Sequence, residues 1–344
     1  GGHAVISIGH SHPQYVKALT AQLQKLAFYS NSVKIPLQEE LADKLGEISG
    51  YKDYTLFLCN SGAEANENAL KLASFKNGRK KVIAFQKSFH GRTSLAVAAT
   101  DDKSIQSPVN HYNDLFFLPL NDENALREVF SDEICAVIIE GIQGVGGVNI
   151  PSVSFLKLLR ELCNKHGAFL ISDEIQSGYG RSGYFFAHQY AGICPDLVTV
   201  AKGMGNGFPV AAVLISPVFQ ARHGLLGTTF GGNYLACTAA IAVLDVIKEE
   251  GLIENARNLG NYFSEQLSSI SGLKQVRGMG LMIGIELNSP SAPIRNDLLQ
   301  THKIFTGSSS NKNTLRILPP LTIKKQEIDF FIEALQSSLN KNPN

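Results

Sequence analysis

The chain has 344 residues, 44% hydrophobic and 18% charged, which is typical of a globular protein with a large buried core. Its net charge of +1 gives no electrostatic support for a nucleic-acid partner or an acidic membrane surface. No apolar run reaches the roughly 18 residues of a membrane span, and no signal peptide is recognisable. The five scattered cysteines lack a CxxC pair, which favours reduced thiols and a cytoplasmic location.

Residues 1–45 are predicted to form an N-terminal segment ahead of the main fold. Because the sequence begins abruptly at Gly1, we expect its true start to be missing. His10 and His12 have a spacing that two metal ligands can share, but no HExxH motif or nearby cysteine supports a metal site. A turn ahead of a helix beginning near Pro13 is the favoured interpretation, and no metal is expected.

Short β-rich runs alternate with helical patterns between residues 46 and 240, the predicted large domain. The runs are apolar throughout, which indicates strands of a mostly parallel sheet covered on both faces. Such a sheet binds ligands in a crevice at the carboxyl ends of its strands. The predicted strands are 54–59, 81–85, 135–140, 168–172, 197–200 and 211–216, with helices over 63–75 and within 151–167.

After about residue 235 the pattern changes to long helices, followed by a strand over 281–287 and a closing helix. This change predicts a smaller α+β domain over residues 241–344. The glycines of "RGMGLMIG" (277–284) loosely match a dinucleotide motif, but they precede a strand instead of following one and opening a helix. We therefore predict a turn there.

Chemically informative residues follow three of the predicted strands. Ser61 and Gly62 come between a strand and a helix, where a plain turn and a phosphate-binding helix start are both compatible with the sequence. Asp173 comes directly after a further predicted strand, and Lys202 comes two residues after the next one. A lysine for the aldehyde, an acid for the pyridine nitrogen and backbone donors for the phosphate are together what pyridoxal phosphate requires. Desolvation would favour the uncharged amine that such a lysine needs.

Six sequence blocks extend this interpretation over nearly the whole chain. They are "NSGAEANENALKLA" (60–73), "SFHGRT" (88–93), "EGIQGVGGV" (140–148), "ISDEIQSGYGRSG" (171–183), "AKGMGNGFPV" (201–210) and "GTTFGGNYLAC" (227–237). In the order and spacing of these blocks the chain resembles the class III (subgroup II) aminotransferases of fold type I, in the acetylornithine aminotransferase branch. The resemblance implies an α/β large domain with a seven-stranded-type, mostly parallel sheet between helices, a pyridoxal 5′-phosphate cofactor and a homodimer with shared sites.

The resemblance assigns cofactor roles to individual positions. It implies that Lys202 is the Schiff-base lysine and the proton shuttle, and that Asp173 is the acid on the pyridine nitrogen. Phe89 corresponds to the aromatic ring that stacks on the pyridine, and Gln176 to the partner of its phenolic oxygen. The implied phosphate ligands are the backbones of Gly62 and Ala63, with Ser61 as an additional donor, and Thr229 from the neighbouring subunit.

Substrate roles follow from the same resemblance. Arg92 corresponds to the position that meets the α-carboxylate end of an ornithine-type donor, and Thr228 to a substrate contact across the dimer. Arg316 corresponds to the arginine that binds the carboxylate of 2-oxoglutarate and glutamate. Ornithine-type relatives usually have a glutamate, paired with that arginine, where this chain has Val145. Since valine cannot form this pair, a donor with an additional carboxylate is an open alternative.

The predicted reaction transfers the terminal amino group of N2-acetylornithine or N2-succinylornithine to 2-oxoglutarate. Its products are the semialdehyde and glutamate, and the resemblance places it in cytoplasmic arginine biosynthesis. Ornithine and 4-aminobutyrate are alternative donors. A pyridoxal-phosphate aminomutase and a non-catalytic binding protein of the same fold are the alternative functions.

Overall fold

The computed structural model describes residues 1–341, and a seven-stranded sheet lies at the centre of the chain. Its strand order is β1-β7-β6-β5-β4-β2-β3. Only β7 is antiparallel to its neighbours β1 and β6, so the predicted mostly parallel sheet is confirmed. The strands are β1 (Thr55–Cys59), β2 (Lys81–Phe85), β3 (Leu115–Leu118), β4 (Ile134–Glu140), β5 (Phe169–Asp173), β6 (Leu197–Val200) and β7 (Ala211–Ile215).

Helices cover both faces of this sheet. In β4, Val137 and Ile139 pack in the core that contains α6, whereas Ala136 and Ile138 pack in the core that contains α3. The helices are α1 (Pro13–Leu23), α2 (Pro36–Ser49), α3 (Gly62–Asn77), α4 (Ser94–Ala98), α5 (Glu123–Val129), α6 (Val153–His166), α7 (Tyr234–Glu249), α8 (Leu252–Ser268), α9 (Ala292–Gln300) and α10 (Lys325–Lys341). This burial on both faces explains why the strands are apolar throughout.

A second, smaller sheet is antiparallel, with the order β10-β9-β8. Its strands are β8 (Leu273–Met279), β9 (Met282–Leu287) and β10 (Thr314–Ile317), and they share one core with α8, α9 and α10. The turn predicted from the glycines of 277–284 is confirmed, because it joins β8 to β9.

The fully buried Arg181 connects the two sheets. Its guanidinium donates to the carbonyl oxygens of Leu281, next to β9, and of Pro319, just beyond β10. These bonds hold the small sheet beside the segment that follows β5, and this arrangement brings β10 close to the edge of the large sheet.

Two strands escaped the sequence prediction. The edge strand β3 has only four residues, and the polar side chains of Lys274, Gln275 and Arg277 interrupt the apolar pattern of β8 (LKQVRGM). The N-terminal turn is confirmed, since α1 begins at Pro13, and His12 pairs with Glu250 at 2.9 Å. Across residues 1–341 no helix has the length and apolar character needed to cross a bilayer.

Candidate active site

A cavity of about 200 Å3 lies where β1, β2, β4, β5 and β6 end at the same edge of the large sheet. Parallel strands deliver the residues that follow them to one edge, which is why segments distant in sequence meet here. The cavity is lined by Gly62, Ala63, Phe89, His90, Gly91, Glu140, Val145, Asp173, Ile175, Gln176 and Lys202.

Lys202 lies two residues after β6, at the start of a short 3-10 turn. Its φ of +46° is unusual for a residue with a side chain, and such strained backbone is concentrated at functional sites. Burial lowers the pKa of its amine, while the carboxylates of Asp173 and Glu140 oppose this shift. A lowered pKa makes the uncharged amine, the form that attacks a carbonyl carbon, easier to reach than it is for a lysine in water.

Asp173 ends β5, and its buried carboxylate is fixed by three donors. Asn66 Nδ2 at 2.8 Å and His90 Nδ1 at 2.7 Å donate to Oδ2, and the Ile175 backbone N–H at 3.0 Å donates to Oδ1. Asn66 is itself fixed by the Thr199 hydroxyl at 2.7 Å. The carboxylate therefore faces the cavity in one defined orientation, which suits an acid that pairs with a ring nitrogen.

The start of α3 provides an anion site. Ser61 is its N-cap and forms a capping box with Glu64, whose backbone N–H donates to the Ser61 hydroxyl at 3.3 Å. Gly62 and Ala63 occupy the first turn, where backbone N–H groups have no intrahelical acceptor. At Gly62 a Cβ would lie 2.8 Å from Ile175 Cδ1, so any larger residue would require the Ile175 side chain to move.

Gln176 and Arg316 meet at the side of the cavity nearest the small sheet. Arg316, in β10, is only 4% exposed, and its Nη1 donates to Gln176 Oε1 at 3.0 Å. Gly144 makes room for this pair, because a Cβ there would lie 1.7 Å from Gln176 Oε1. Burial lowers the pKa of Arg316, and among residues 1–341 no carboxylate lies within ion-pair distance of its guanidinium. Val145, at the position where the sequence analysis noted a glutamate in ornithine-type relatives, lines the cavity.

Three residues of this site escaped the sequence analysis: Glu140, His90 and Asn66. Glu140 ends β4 and accepts a hydrogen bond from the Phe89 backbone N–H at 3.0 Å. The strand-end argument that selected Asp173 applies equally to Glu140. Asn66 carried no signal of its own, because its position on α3 matters only once α3 packs against β5.

Five predicted residues are absent from the lining of this cavity, although Ser61 and Arg316 adjoin it. Arg92 is exposed, although its neighbour Gly91 lines the cavity. Thr229 is exposed on the segment before α7, and the Thr228 hydroxyl accepts a hydrogen bond from the Gly231 backbone N–H at 3.0 Å. A single chain thus brings six of the eight residues predicted to hold the cofactor to the cavity, and of the residues predicted to hold the substrates it brings Arg316 beside it.

The donor set fits pyridoxal phosphate. A lysine with a lowered pKa, an oriented buried carboxylate and a helix start with free N–H groups all border one cavity. An aromatic ring, Phe89, and an amide, Gln176, complete its lining. Each group matches one part of the cofactor: the aldehyde, the ring nitrogen, the phosphate, the ring face and the phenolic oxygen.

Comparison with known proteins gives concordant results. The family model described as aminotransferase class-III matches residues 1–339. Acetylornithine aminotransferases from Methanosarcina mazei and Bacillus subtilis are 39% and 41% identical to this chain; both alignments cover 98% of it, and they cover 85% and 89% of the respective relative. The structure of an ornithine aminotransferase from Toxoplasma gondii has a TM-score of 0.91 at 30% identity, covering 99% of this chain and 85% of that one.

Proposed function

Because the chain belongs to the class-III aminotransferase family, it is a pyridoxal-phosphate-dependent transaminase, and we propose that it acts on an N2-acylornithine. The reaction moves the terminal amino group of this donor to 2-oxoglutarate and yields the semialdehyde and glutamate. The observation that carries the proposal is the convergence of Lys202, Asp173 and the start of α3 on one cavity. The reaction belongs to arginine biosynthesis, the pathway implied by the name of the relatives at about 40% identity.

When bound, pyridoxal phosphate supplies an aldehyde that captures the amine and a ring that takes up the electrons released on proton loss. Lys202 would hold the cofactor through its aldehyde, and its amine would accept and return the proton that the reaction moves. Asp173 would pair with the ring nitrogen, and Gly62 and Ala63 would hold the phosphate. Phe89 would cover the ring and exclude water from it.

The acyl group of the donor is proposed as acetyl, from the names of the relatives. One observation favours N2-succinylornithine as a second candidate. Arg316 is buried beside the cavity without a carboxylate partner among residues 1–341, and Val145 provides none. A buried unpaired guanidinium is costly, and a substrate carboxylate compensates that cost whenever one is bound. A donor with an additional carboxylate would use this arginine in both half-reactions.

We propose a homodimer that completes the site. Thr228 and Thr229 lie outside their own cavity, next to exposed aromatic side chains. Phe230 is 62% exposed and Tyr29 is 53% exposed, and the rings of Phe28 and Phe230 lie 5.5 Å apart. Large exposed aromatic side chains in one region indicate a protein interface. A second copy of this chain, docked here, would deliver both threonines to the facing cavity. We place the enzyme in the cytoplasm, since all five cysteines are free.

A parallel assay tests the donor. N2-acetylornithine, N2-succinylornithine, ornithine and 4-aminobutyrate are each supplied with 2-oxoglutarate, and kcat/KM is compared. An N2-acylornithine should be preferred over the others, and equal use of all four donors would contradict the proposal. Omitting 2-oxoglutarate should stop turnover after one half-reaction, whereas an aminomutase would continue. A purified protein that takes up no cofactor would indicate a non-catalytic relative.

A further inference from the structure

Glu140 is a buried carboxylate at the cavity to which neither the sequence nor the proposed function gives a role. It ends β4 directly beside Asp173, the end of β5, and the two residues are partners in the parallel ladder. Ala136 and Ile138 of β4 share the α3 side of the sheet with Ile171 of β5. Because side chains alternate along a strand, Glu140 and Asp173 point to that same side.

Both oxygens of Glu140 are used by backbone donors from two different loops. Phe89 N–H donates to Oε1 at 3.0 Å, and Gly144 N–H donates to Oε2 at 3.0 Å. Phe89 is the proposed cover of the cofactor ring. Gly144 is the residue whose missing side chain lets Gln176 approach within the cavity. The Glu140 carboxylate thus holds two loops in place. One loop carries Phe89, and the other contains Gly144, which leaves space for Gln176.

The charge of Glu140 is not compensated by direct contact. Among residues 1–341 no lysine, arginine or histidine nitrogen lies within ion-pair distance of it, and it is 5% exposed. The titratable groups that face it are Asp173 from β5, His90 after β2, Lys202 after β6 and Arg316 from β10. Burial raises the pKa of Glu140 to about 7; His90 opposes this shift and Asp173 adds to it.

We propose that Glu140 is a positioning residue, which as a carboxylate holds Phe89 and the Gly144 loop in place and adds negative charge beside Lys202. We assign it no contact with the reacting atoms or the substrate, and it acts through its neighbours. This inference rests on the proposed placement of pyridoxal phosphate in the cavity. The charge on Glu140 would therefore affect both the geometry around the cofactor and the proton affinity of Lys202.

Two substitutions separate the geometric role from the electrostatic one. Glu140→Gln keeps the size but removes the charge, and its amide can accept only one of the two hydrogen bonds. Glu140→Asp keeps the charge but is too short to reach both backbone donors. Glu133→Gln is the matched control, since Glu133 is an exposed glutamate just before the same strand, with a side chain that is 70% exposed.

The readout is the visible absorption of the cofactor in the purified holoenzyme, titrated against pH, together with kcat. Glu140→Gln should lower the pH midpoint of the absorption change by about one unit, because a negative charge near Lys202 is lost. It should also lower kcat about tenfold through loss of one hydrogen bond. Glu140→Asp should lower kcat while leaving the midpoint near that of the wild type.

A midpoint for Glu140→Gln equal to that of Glu133→Gln would overturn the electrostatic role, and an unchanged kcat in both Glu140 variants would overturn the geometric one. If the Glu140 variants do not fold, a carbon-13 titration of Glu140 in the wild-type holoenzyme decides. A Glu140 carboxyl that stays protonated over the whole pH range of the assay, far above the ordinary glutamate pKa of about 4.3, would overturn the proposal, which requires the carboxylate. A wild-type protein without any visible cofactor band would instead refute the proposed function itself.

Discussion

The two halves of the candidate site differ in how a single chain builds them. On the cofactor side, Lys202, Asp173 and the start of α3 are delivered by strand ends of one sheet and lie together in one cavity. On the substrate side, Arg316 reaches the cavity margin from the small sheet, whereas Arg92 and Thr229 are exposed outside it. The sheet therefore positions the residues proposed to hold the cofactor, whereas the residues proposed to select substrates lie on the small sheet and on loops, where a second copy of the chain is proposed to contribute.

Removing the amine of Lys202 should lower kcat more than any other substitution considered below. Lys202→Ala leaves no covalent attachment and no proton carrier, so kcat should fall by at least about a thousandfold. Reduction of the loaded protein with borohydride followed by mass measurement checks this directly: the wild type should gain the mass of the cofactor and the variant should not. Lys165→Ala, at the exposed end of α6, is the control and should behave as the wild type. Wild-type turnover by Lys202→Ala would refute the mechanism.

Asp173→Asn tests the second part of the cofactor side. Asparagine preserves the shape but removes the charge that pairs with the ring nitrogen, and it places an amide against the donors Asn66 and His90. We expect kcat to fall by about 10²–10³-fold, with a smaller change in KM. Single-turnover kinetics of the first half-reaction measure the effect, and Asp132→Asn, at an exposed aspartate, is the control. A loss confined to KM would contradict the assigned role.

The difference between the cofactor side and the substrate side also explains which parts of the site the sequence could predict. Buried strands such as CAVIIE have a strong pattern, and their ends locate Asp173, Lys202 and, by the same argument, Glu140. The contacts among these residues depend on the packing of α3 against the sheet, so the bond from Asn66 to Asp173 has no local signal. The hydrogen bond from Arg316 to Gln176 links the two sheets and joins residues that are far apart in sequence. The space left by the missing side chain of Gly144 permits this bond, and it becomes apparent only in the three-dimensional structure.

Mixed dimers test whether Thr229 contributes to the cavity of the neighbouring subunit. If Thr229 serves the facing subunit, Thr229→Ala should weaken cofactor binding about tenfold through loss of a hydrogen bond to phosphate. A dimer of one Lys202→Ala chain and one Thr229→Ala chain would then contain one fully wild-type site. Equilibrium binding of the cofactor to purified mixed dimers, made with two different affinity tags, should show one tight site of wild-type affinity. Absence of such a site would mean that Thr229 does not act across the interface.

The smallest expected effect concerns Val145 and addresses the substrate side alone. Val145→Glu would place a carboxylate near Arg316, so any substrate carboxylate bound there must first displace it. The KM for 2-oxoglutarate should therefore rise by about threefold to tenfold, since a modestly coupled ion pair is worth about 1 kcal/mol. N2-succinylornithine should show the same rise if its additional carboxylate uses Arg316, whereas the KM of N2-acetylornithine should stay near that of the wild type. Val145→Gln is the matched control, because it has nearly the same size without the charge. Equal KM values for the Glu and Gln variants would show that shape, and not the missing carboxylate, is what matters at this position.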